Sequence, residues 1–377
     1  MLFKQVIGQH DKKSALVEMV KHSRLPHSLL LLGPEGCGKL ALAVALAQYL
    51  LCKNADQERC GKCTNCIKSS KLIHPDFHFA FPVVGTNATS DTYLNQWREA
   101  LLDNPYMNIN QWLQSIGAEN KQGNINKEEC VRIMRKLNLK TYEGARKIML
   151  IWLPEYLGKE GNRLLKLIEE PPENTHFILV AERQELILNT ILSRCQIVTL
   201  SPLQDQEIEA AIHKHFPDKG GQAATIARLA NGNYNEALQL LQSRVNEHAK
   251  RFLEWMRKCY KGNSVELVNW SNAVAGLGRE NQKHFLNYAL HFFRSFLMLK
   301  MTNEVEYARL DDEELQTAER MLKVLEFDQV EAIAALIDDT IYAVERNANP
   351  KILFLNTSIK LNQIFKKKTA YKHAYLY

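Results

Sequence analysis

The chain has 377 residues, of which 46% are hydrophobic and 24% are charged, and its formal net charge is +6. This composition is typical of a soluble globular protein with two or three domains. No run of about 18 apolar residues occurs, which argues against a membrane span. The first residues lack the apolar core of a signal peptide, so we expect a cytoplasmic protein. The mildly basic charge is compatible with an acidic partner but usually reflects only a solvated surface.

The first 200 residues alternate short apolar runs with helical patterns. The apolar runs show little polar alternation, which is typical of parallel strands covered on both faces. They predict strands at 28–32, 77–84, 147–153, 176–181 and 196–200. Between them, helices are expected at 39–51 and at 155–170, where two prolines follow. We therefore predict an α/β domain with a parallel sheet.

After Pro202 only helical patterns remain, and they predict helices at 204–215 and 223–241. The predicted domains are an α/β domain at 1–201, a small helical lid at 202–245 and an all-α domain at 246–377. Apolar stripes in the last domain predict helix-packing faces, one of them formed by Ile352, Leu355 and Ile359. Residues 85–126 are predicted to be a partly helical insertion, and 366–377 a basic, tyrosine-rich tail.

A glycine-rich sequence follows the first predicted strand and precedes a strongly apolar helix. Residues 33–39 read Gly-Pro-Glu-Gly-Cys-Gly-Lys, the G-x-x-x-x-G-K pattern of phosphate-binding loops. In such loops backbone N–H groups and a helix N-terminus bind phosphate oxygens, and the lysine adds a point charge. Gly33, Gly36, Gly38 and Lys39 are therefore candidate nucleotide-binding residues. An ordinary glycine turn between a strand and a helix is the alternative.

Both positions that would hold Mg²⁺ have lost their ligand atoms. The Ser or Thr expected after the lysine is Leu40. The second Mg²⁺ ligand is an acidic residue at the end of a later strand, but the strand at 147–151 runs into Trp152 and Leu153. Glu155 lies three residues beyond Trp152. The sequence thus predicts weak or no nucleotide binding and no ATP hydrolysis.

Four of the eight cysteines cluster in a polar, lysine-rich segment: Cys52, Cys60, Cys63 and Cys66. In a reducing compartment such a cluster indicates a metal site rather than disulfides. Four thiolates at short spacing suit a closed, structural Zn²⁺ site with no open position for catalysis. Unpaired surface cysteines are the alternative. The other four cysteines are expected to be ordinary small or buried residues.

Several short motifs resemble the bacterial clamp-loader ATPases of the AAA+ class. They are Gly8-Gln9, the run 24–28 before the loop, the four-cysteine module, the run 164–172 ending in Glu-Glu-Pro-Pro, and Ser193-Arg194-Cys195. Residues 347–351 resemble the collar domain of the same family. The matches extend over nearly the whole chain, with the exception of the insertion at 85–126.

The resemblance implies a RecA-like AAA+ domain with a zinc module, a helical lid and a helical collar that joins a five-subunit ring. The family contains ATP-hydrolysing motors (gamma/tau) and an inactive stator branch (delta prime). Leu40, Trp152 and Leu153 depart from the motors, and so does Asn235, which stands near the motors' sensor arginine. Arg194 matches the arginine that the family lends to a neighbouring ATP site. This combination resembles the inactive branch.

The resemblance also implies partners. They are the delta and gamma/tau subunits in a hetero-pentamer and, through that complex, the sliding clamp and primer–template DNA. The chain would then be a component of a DNA-directed DNA polymerase holoenzyme without ATPase activity of its own. Two alternatives remain: an active gamma/tau-like ATPase, or a zinc-dependent nucleic-acid-binding module with a degenerate loop.

Overall fold

The computed structural model describes residues 1–56, 58–119, 121–242, 245–302, 310, 312–346 and 348–366. The chain divides into two compact units, Met1–Leu238 and Gln239–Tyr377. The α-helices are α1 His10–Lys21, α2 Lys39–Leu51, α3 Thr64–Ser70, α4 Leu94–Asp103, α5 Ile109–Ser115, α6 Lys127–Asn138, α7 Leu165–Glu169, α8 Asn189–Leu192, α9 Asp205–His215, α10 Ala223–Ala230, α11 Tyr234–Gln242, α12 Val245–Lys261, α13 Ser264–Ala275, α14 Arg279–Thr302, α15 Asp312–Leu322, α16 Phe327–Glu345 and α17 Pro350–Phe365. The domain boundaries at 201/202 and 245/246 stay predictions. The predicted basic tail also stays a prediction, because residues 367–377 lie outside the described residues.

A parallel sheet forms the centre of the first unit. Its strands are β1 Ser28–Leu32, β2 Phe77–Ala80, β3 Lys147–Trp152, β4 Thr175–Ala181 and β5 Gln196–Thr199. Their order is β2-β3-β4-β1-β5, and every adjacent pair is parallel. The predicted fold class, a RecA-like α/β domain followed by helices, is confirmed. All five predicted strands exist, although β2 is shorter than the predicted 77–84.

The first strand and the helix after it form the buried middle of this unit. Strand β1 lies between β4 and β5, so that Leu30 is aligned with Leu179 on one side and Ile197 on the other. All residues of α2 are buried, because the helix carries almost only Ala, Leu and Val on every side. A helix that is apolar all round needs cover on all sides. The loop between β1 and α2 is therefore held between two rigid elements.

Two predicted helices are broken at residues with left-handed backbone. The segment predicted as one helix at 155–170 is a 3-10 segment, Pro154–Leu164, followed by the short α7. Gly158 has φ 48° and ψ −137° there, outside the helical region, and only glycine adopts this combination readily. In the lid, Asn231 (φ 47°) and Gly232 (φ 84°) separate α10 from α11. Since the apolar period continues past each break, periodicity alone did not reveal them.

The insertion at 85–126 packs into the core of the first unit through two tryptophans. Trp97 and Trp112 are fully buried, and their ring centroids lie 5.2 Å apart in an edge-to-face arrangement. Trp97 also stacks on Phe81 at 4.2 Å and contacts Trp152 at 5.1 Å. The predicted insertion is thus partly helical, as expected, but it is an integral part of the domain core.

Replacing Trp97 by alanine is expected to destabilise the first unit strongly. Deleting a buried tryptophan costs about 3–5 kcal/mol, because burial is lost and a cavity remains. Leu102→Ala, in the same helix but at a side chain that is 56% exposed, should change stability by less than about 0.5 kcal/mol. Urea unfolding of the two variants measures the difference. Equal midpoints would show that the insertion does not share the core.

The second unit is helical in the part that the structure describes. The apolar stripes predicted on α12, α14 and α16 are largely buried, with Phe252, Phe292, Phe293 and Ile333 fully enclosed. The exception is Tyr260, predicted as part of the stripe on α12, which is 57% exposed. The stripe predicted on α17 is wrong. Its Ile352 and Ile359 are 69% and 45% exposed, and the buried face carries Phe354, Thr357, Ser358, Leu361 and Ile364 instead.

The polar residues on the buried face of α17 are matched by partners. The Ser358 hydroxyl accepts a hydrogen bond from the Trp255 indole at 2.8 Å, and the Thr357 hydroxyl meets that of Thr340 at 3.0 Å. These satisfied hydroxyls allow the polar positions to be buried. Among the described helices, none is long and apolar enough to cross a membrane.

Candidate functional site

The glycine-rich loop has the backbone geometry that its sequence predicts. It joins the buried strand β1 to the N-terminus of α2, and Gly36 (φ 68°) and Gly38 (φ 91°) both adopt the left-handed region. Gly38 caps α2, so the first N–H groups of the helix point into the loop. A Cβ on Gly33 would lie 2.8 Å from the Leu200 carbonyl oxygen, which explains the glycine there. The predicted strand–loop–helix arrangement is present.

The loop lysine is paired inside the chain. Lys39 is buried, and its Nζ lies 3.0 Å from Glu182 Oε1 and 2.9 Å from the Pro34 carbonyl oxygen. Glu182 directly follows β4, the strand next to β1. The sequence reasoning missed Glu182. The available signal was a carboxylate directly after the apolar strand β4. The sequence did not show, however, that β4 lies next to β1 and therefore next to the loop.

The two positions expected to hold Mg²⁺ are apolar and buried. Leu40 is 3% exposed and Trp152 is 1% exposed. Glu155 offers one oxygen at most, since its Oε1 accepts hydrogen bonds from the N–H groups of Glu182 (2.5 Å) and Arg183 (2.8 Å), while its buried Oε2 has no partner among the described residues. Burial raises the pKa of the Glu155 carboxyl, although these N–H groups act in the opposite direction. The donor set does not fit a Mg²⁺ ion, which prefers several oxygen ligands in octahedral geometry.

Residues of the insertion and of the lid lie directly on the loop. Glu35 Oε1 accepts hydrogen bonds from the side-chain amides of Asn108 (3.0 Å) and Asn233 (3.3 Å). The N–H of Tyr234 donates to the Gly36 carbonyl oxygen at 3.2 Å. Tyr106 is buried against Gly38.

Asn235, predicted at the place of a sensor arginine, is also turned inward. It is fully buried, and its Oδ1 accepts a hydrogen bond from the Asn104 side chain at 2.7 Å. Asn104 belongs to the same insertion that contributes Asn108. The asparagine therefore ties the lid to the insertion.

The four clustered cysteines converge in space. The Sγ atoms of Cys52, Cys60, Cys63 and Cys66 all lie within 4.8 Å of one another, and those of Cys60 and Cys66 are 3.8 Å apart. Four sulfurs around a tetrahedral Zn²⁺, each at about 2.3 Å from the ion, would be separated by about 3.8 Å. The donor set therefore fits a closed thiolate site. The metal and its identity stay predictions.

Backbone N–H groups surround these sulfurs. Cys60 N donates to Cys52 Sγ at 3.2 Å, and Cys66 N donates to Cys63 Sγ at 3.4 Å, where Cys63 caps α3. Backbone donors from Cys63 and Lys62 lower the pKa of the Cys60 thiol to about 6, whereas burial raises the pKa of the Cys52 and Cys66 thiols. N–H groups aimed at ligand sulfurs are the outer contacts that stabilise thiolate ligands of a metal.

The remaining four cysteines lie outside this cluster. Burial raises the pKa of the Cys130 thiol to about 12 and of the Cys195 thiol to about 11, and it also raises the pKa of Cys37 and Cys259. Cys37, Cys130 and Cys259 are buried, and within the described residues none of these four cysteines belongs to a group of possible metal ligands. This agrees with their prediction as ordinary residues.

Arg194 lies on the surface, between the end of α8 and the start of β5. Its side chain is 32% exposed. Its Nε donates to Glu169 Oε2 at 2.8 Å, and its NH1 donates to the Thr190 carbonyl oxygen at 2.9 Å. These contacts hold the guanidinium in one orientation and leave other donors available. Its predicted role in a neighbouring subunit stays a prediction.

Comparisons with known proteins give a consistent family. A family profile described as "DNA polymerase III, delta subunit" matches residues 8–204. The "DNA polymerase III subunit delta'" of Bacillus subtilis is 26% identical over 296 residues, which cover 77% of each chain. That of Escherichia coli K12 is 26% identical over 75% of this chain and 72% of its own length.

A gamma subunit is also similar. The "DNA polymerase III subunit gamma" of Buchnera aphidicola subsp. Schizaphis graminum is 30% identical over 75% of this chain, which spans 64% of that relative. The profile covers just over half of the chain, and it includes the glycine-rich loop, the cysteine cluster and Arg194. The chain therefore belongs to the DNA polymerase III delta-subunit family, within the clamp-loader subunits that include delta prime and gamma/tau.

Proposed function

We propose that the chain is the delta-prime, or stator, subunit of the DNA polymerase III clamp loader, which loads the sliding clamp onto primed DNA. The observation that carries the proposal is the state of the nucleotide loop. Lys39 is paired with Glu182, and the positions for Mg²⁺ ligands are Leu40 and Trp152. ATP hydrolysis requires a metal bridging the phosphates, so this subunit has no ATPase activity of its own.

The proposed partners follow from the relatives, which are subunits of the same polymerase. The chain would join delta and gamma/tau subunits in a hetero-pentamer and reach the clamp and the DNA through that complex. Arg194 would serve as an arginine finger at the ATP site of an adjacent gamma/tau subunit. Its exposure and its fixed orientation support this role, because a trans-acting arginine must project from the surface of its own chain to reach the neighbouring subunit.

The cysteine cluster is proposed to hold one structural Zn²⁺ through Cys52, Cys60, Cys63 and Cys66. Four protein ligands close the coordination sphere, so the ion would support folding and would not bind a substrate. Thiolate ligands favour Zn²⁺ over the harder cations.

An active gamma/tau-like ATPase is the second candidate, and the 30% identity to a gamma subunit favours it. The two candidates differ in one measurable property, which is ATP turnover by the isolated chain. The third possibility, a nucleic-acid-binding module, predicts tight DNA binding by the isolated chain with a steep salt dependence.

Mixing the purified chain with the delta and gamma/tau subunits of its own organism tests the proposal. We expect one stable complex on size-exclusion chromatography, and ATP hydrolysis by the isolated chain no faster than by its Lys39→Ala variant. Failure to enter the complex would refute the stator role. Turnover clearly above that of the Lys39→Ala control would instead support the gamma-like candidate.

A further inference from the structure

We propose that the insertion is an internal occupant of the nucleotide site, with the Tyr106 ring in place of a nucleoside and Glu182 in place of a phosphate. This assigns a role to residues 104–108, which connect α4 to α5. It rests on the proposed function and deepens it, because a loop filled by the insertion could not serve an active ATPase.

The Tyr106 ring lies where the loop passes into α2. Its Cε1 is 3.2 Å from the position that a Cβ on Gly38 would take, so the ring touches the last residue before Lys39. Its hydroxyl accepts a hydrogen bond from the N–H of Ile7 at 2.9 Å. A planar ring that accepts a backbone hydrogen bond next to a phosphate loop makes the contacts of a nucleobase. While it is there, a sugar or base cannot enter the same space.

The lid supports the ring from the other side. Tyr234 packs edge-to-face on Tyr106, with 4.9 Å between ring centroids. The ring is 7% exposed, so it is enclosed by protein. Edge-to-face aromatic pairs contribute beyond their buried area, and this pair holds the tyrosine in one position.

The space beside Gly36 is occupied by the side chain of Asn233. A Cβ on Gly36 would lie 1.7 Å from Asn233 Oδ1 and 2.9 Å from Asn233 Cα. In nucleotide-binding loops glycines let the backbone approach the phosphates. Here the space beside Gly36 is filled by the lid, and Asn233 is fixed there by Glu35.

The charges at the site also exclude a phosphate. The Lys39 ammonium is buried, and it is paired at 3.0 Å with Glu182, whose side chain is 23% exposed. A phosphate would have to displace Glu182 from Lys39, and the carboxylate of Glu155, which accepts a hydrogen bond from the Glu182 N–H, adds negative charge nearby. The displaced Glu182 carboxylate would lose its cationic partner, which is unfavourable for a partly buried charge.

Hydrogen bonds anchor both ends of the segment 104–108, which carries Tyr106. Asn104 at the end of α4 bonds to Asn235, and Asn108 caps α5 while it donates to Glu35. Beyond Tyr106 a cavity of about 560 Å³ remains, with Ile7, Val44, Leu101, Tyr106 and Tyr234 among its lining residues. Removing the ring would therefore open a larger cavity next to the loop, and this cavity would admit a base.

Titration calorimetry of the full chain with ATP, with and without Mg²⁺, tests the proposal. Wild type should show no binding up to about 1 mM, whereas Tyr106→Ala combined with Glu182→Ala should bind at least about tenfold more tightly than that limit. Tyr142→Ala is the matched control, since that tyrosine is 80% exposed, and it should behave as wild type.

Two results would overturn the proposal: wild type binding ATP as tightly as the double variant, or a folded double variant that still does not bind. If the variant does not fold, hydrogen exchange on wild type decides. The Ile7 amide should exchange at the same rate with and without ATP, whereas a change in that rate would mean that nucleotide reaches the Tyr106 position. Entry of wild type into the clamp-loader complex tests the proposed function separately.

Discussion

Replacing Arg194 by alanine is expected to reduce ATP hydrolysis at the adjacent site of a reconstituted clamp loader by about 10³–10⁵-fold. In the transition state of phosphoryl transfer, negative charge spreads over the transferred group, and an arginine supplied by a neighbour stabilises it. A planar guanidinium does this with several donors in a fixed geometry. In pre-steady-state measurements with clamp and primed DNA, the amount of ATP that the loader hydrolyses rapidly should fall by the share of one site.

The same change should leave the subunit folded. The pair between Arg194 and Glu169 is partly exposed, and such surface pairs contribute at most about 1 kcal/mol. Arg163→Ala is a suitable control because Arg163 is a surface arginine in a similar pair with Glu160. Arg194→Lys keeps the charge but loses the fork of donors, so it should restore little of the rate. An Arg194→Ala loader with unchanged kinetics at every site would rule out the trans role.

The sequence was sufficient for the elements whose signals are local. The strands are apolar runs with little polar alternation, and the loop has three glycines and a lysine in register. Both features depend on near neighbours in the chain, so no knowledge of the tertiary structure was needed. The four cysteines belong to the same class, since the cluster spans residues 52–66.

The contacts that decide the state of the loop were not predictable from the sequence. Lys39 and Glu182 are 143 residues apart, and Glu35 and Asn233 are 198 residues apart. These pairs meet only because β4 lies beside β1 and because the lid returns to the loop. Tyr106 lies in a polar segment without a recognisable motif, so nothing marked it as a partner of the loop.

The departures at Trp152 and in the insertion are parts of one structural change. Trp152 stands where the family resemblance places an acidic residue, and its ring packs on Trp97 of the insertion. An aspartate at that position would be buried against the Trp97 ring, at considerable cost. Trp152 thus supplies part of the apolar surface on which the insertion packs. Sequence comparison alone treats these as separate differences.

The Cys60→Ser variant is expected to lose the bound metal and the local fold of residues 52–66. The same loss is expected when the wild-type protein is treated with a strong chelator. Structural Zn²⁺ sites contribute about 10–16 kcal/mol of apparent binding free energy, which replaces the apolar core that such segments lack. Apart from Asn65 and Cys66, the described residues from 52 to 66 are exposed or half-buried, so the segment has little apolar core of its own. Elemental analysis should give one zinc per wild-type chain and none in the variant.

Limited trypsin digestion shows whether a bound metal ion stabilises the segment 52–66. Lys53, Arg59 and Lys62 lie between the cysteines, so loss of the ion should speed cleavage there while the core sheet stays intact. Cys195→Ser is the control, because that thiol lies outside the cluster and should alter neither metal content nor cleavage. The N–H groups of Phe3 and Lys4 donate to Glu58 within the segment, so its unfolding should also release the N-terminus. Equal cleavage with and without metal would mean that the cysteines do not stabilise the segment through an ion.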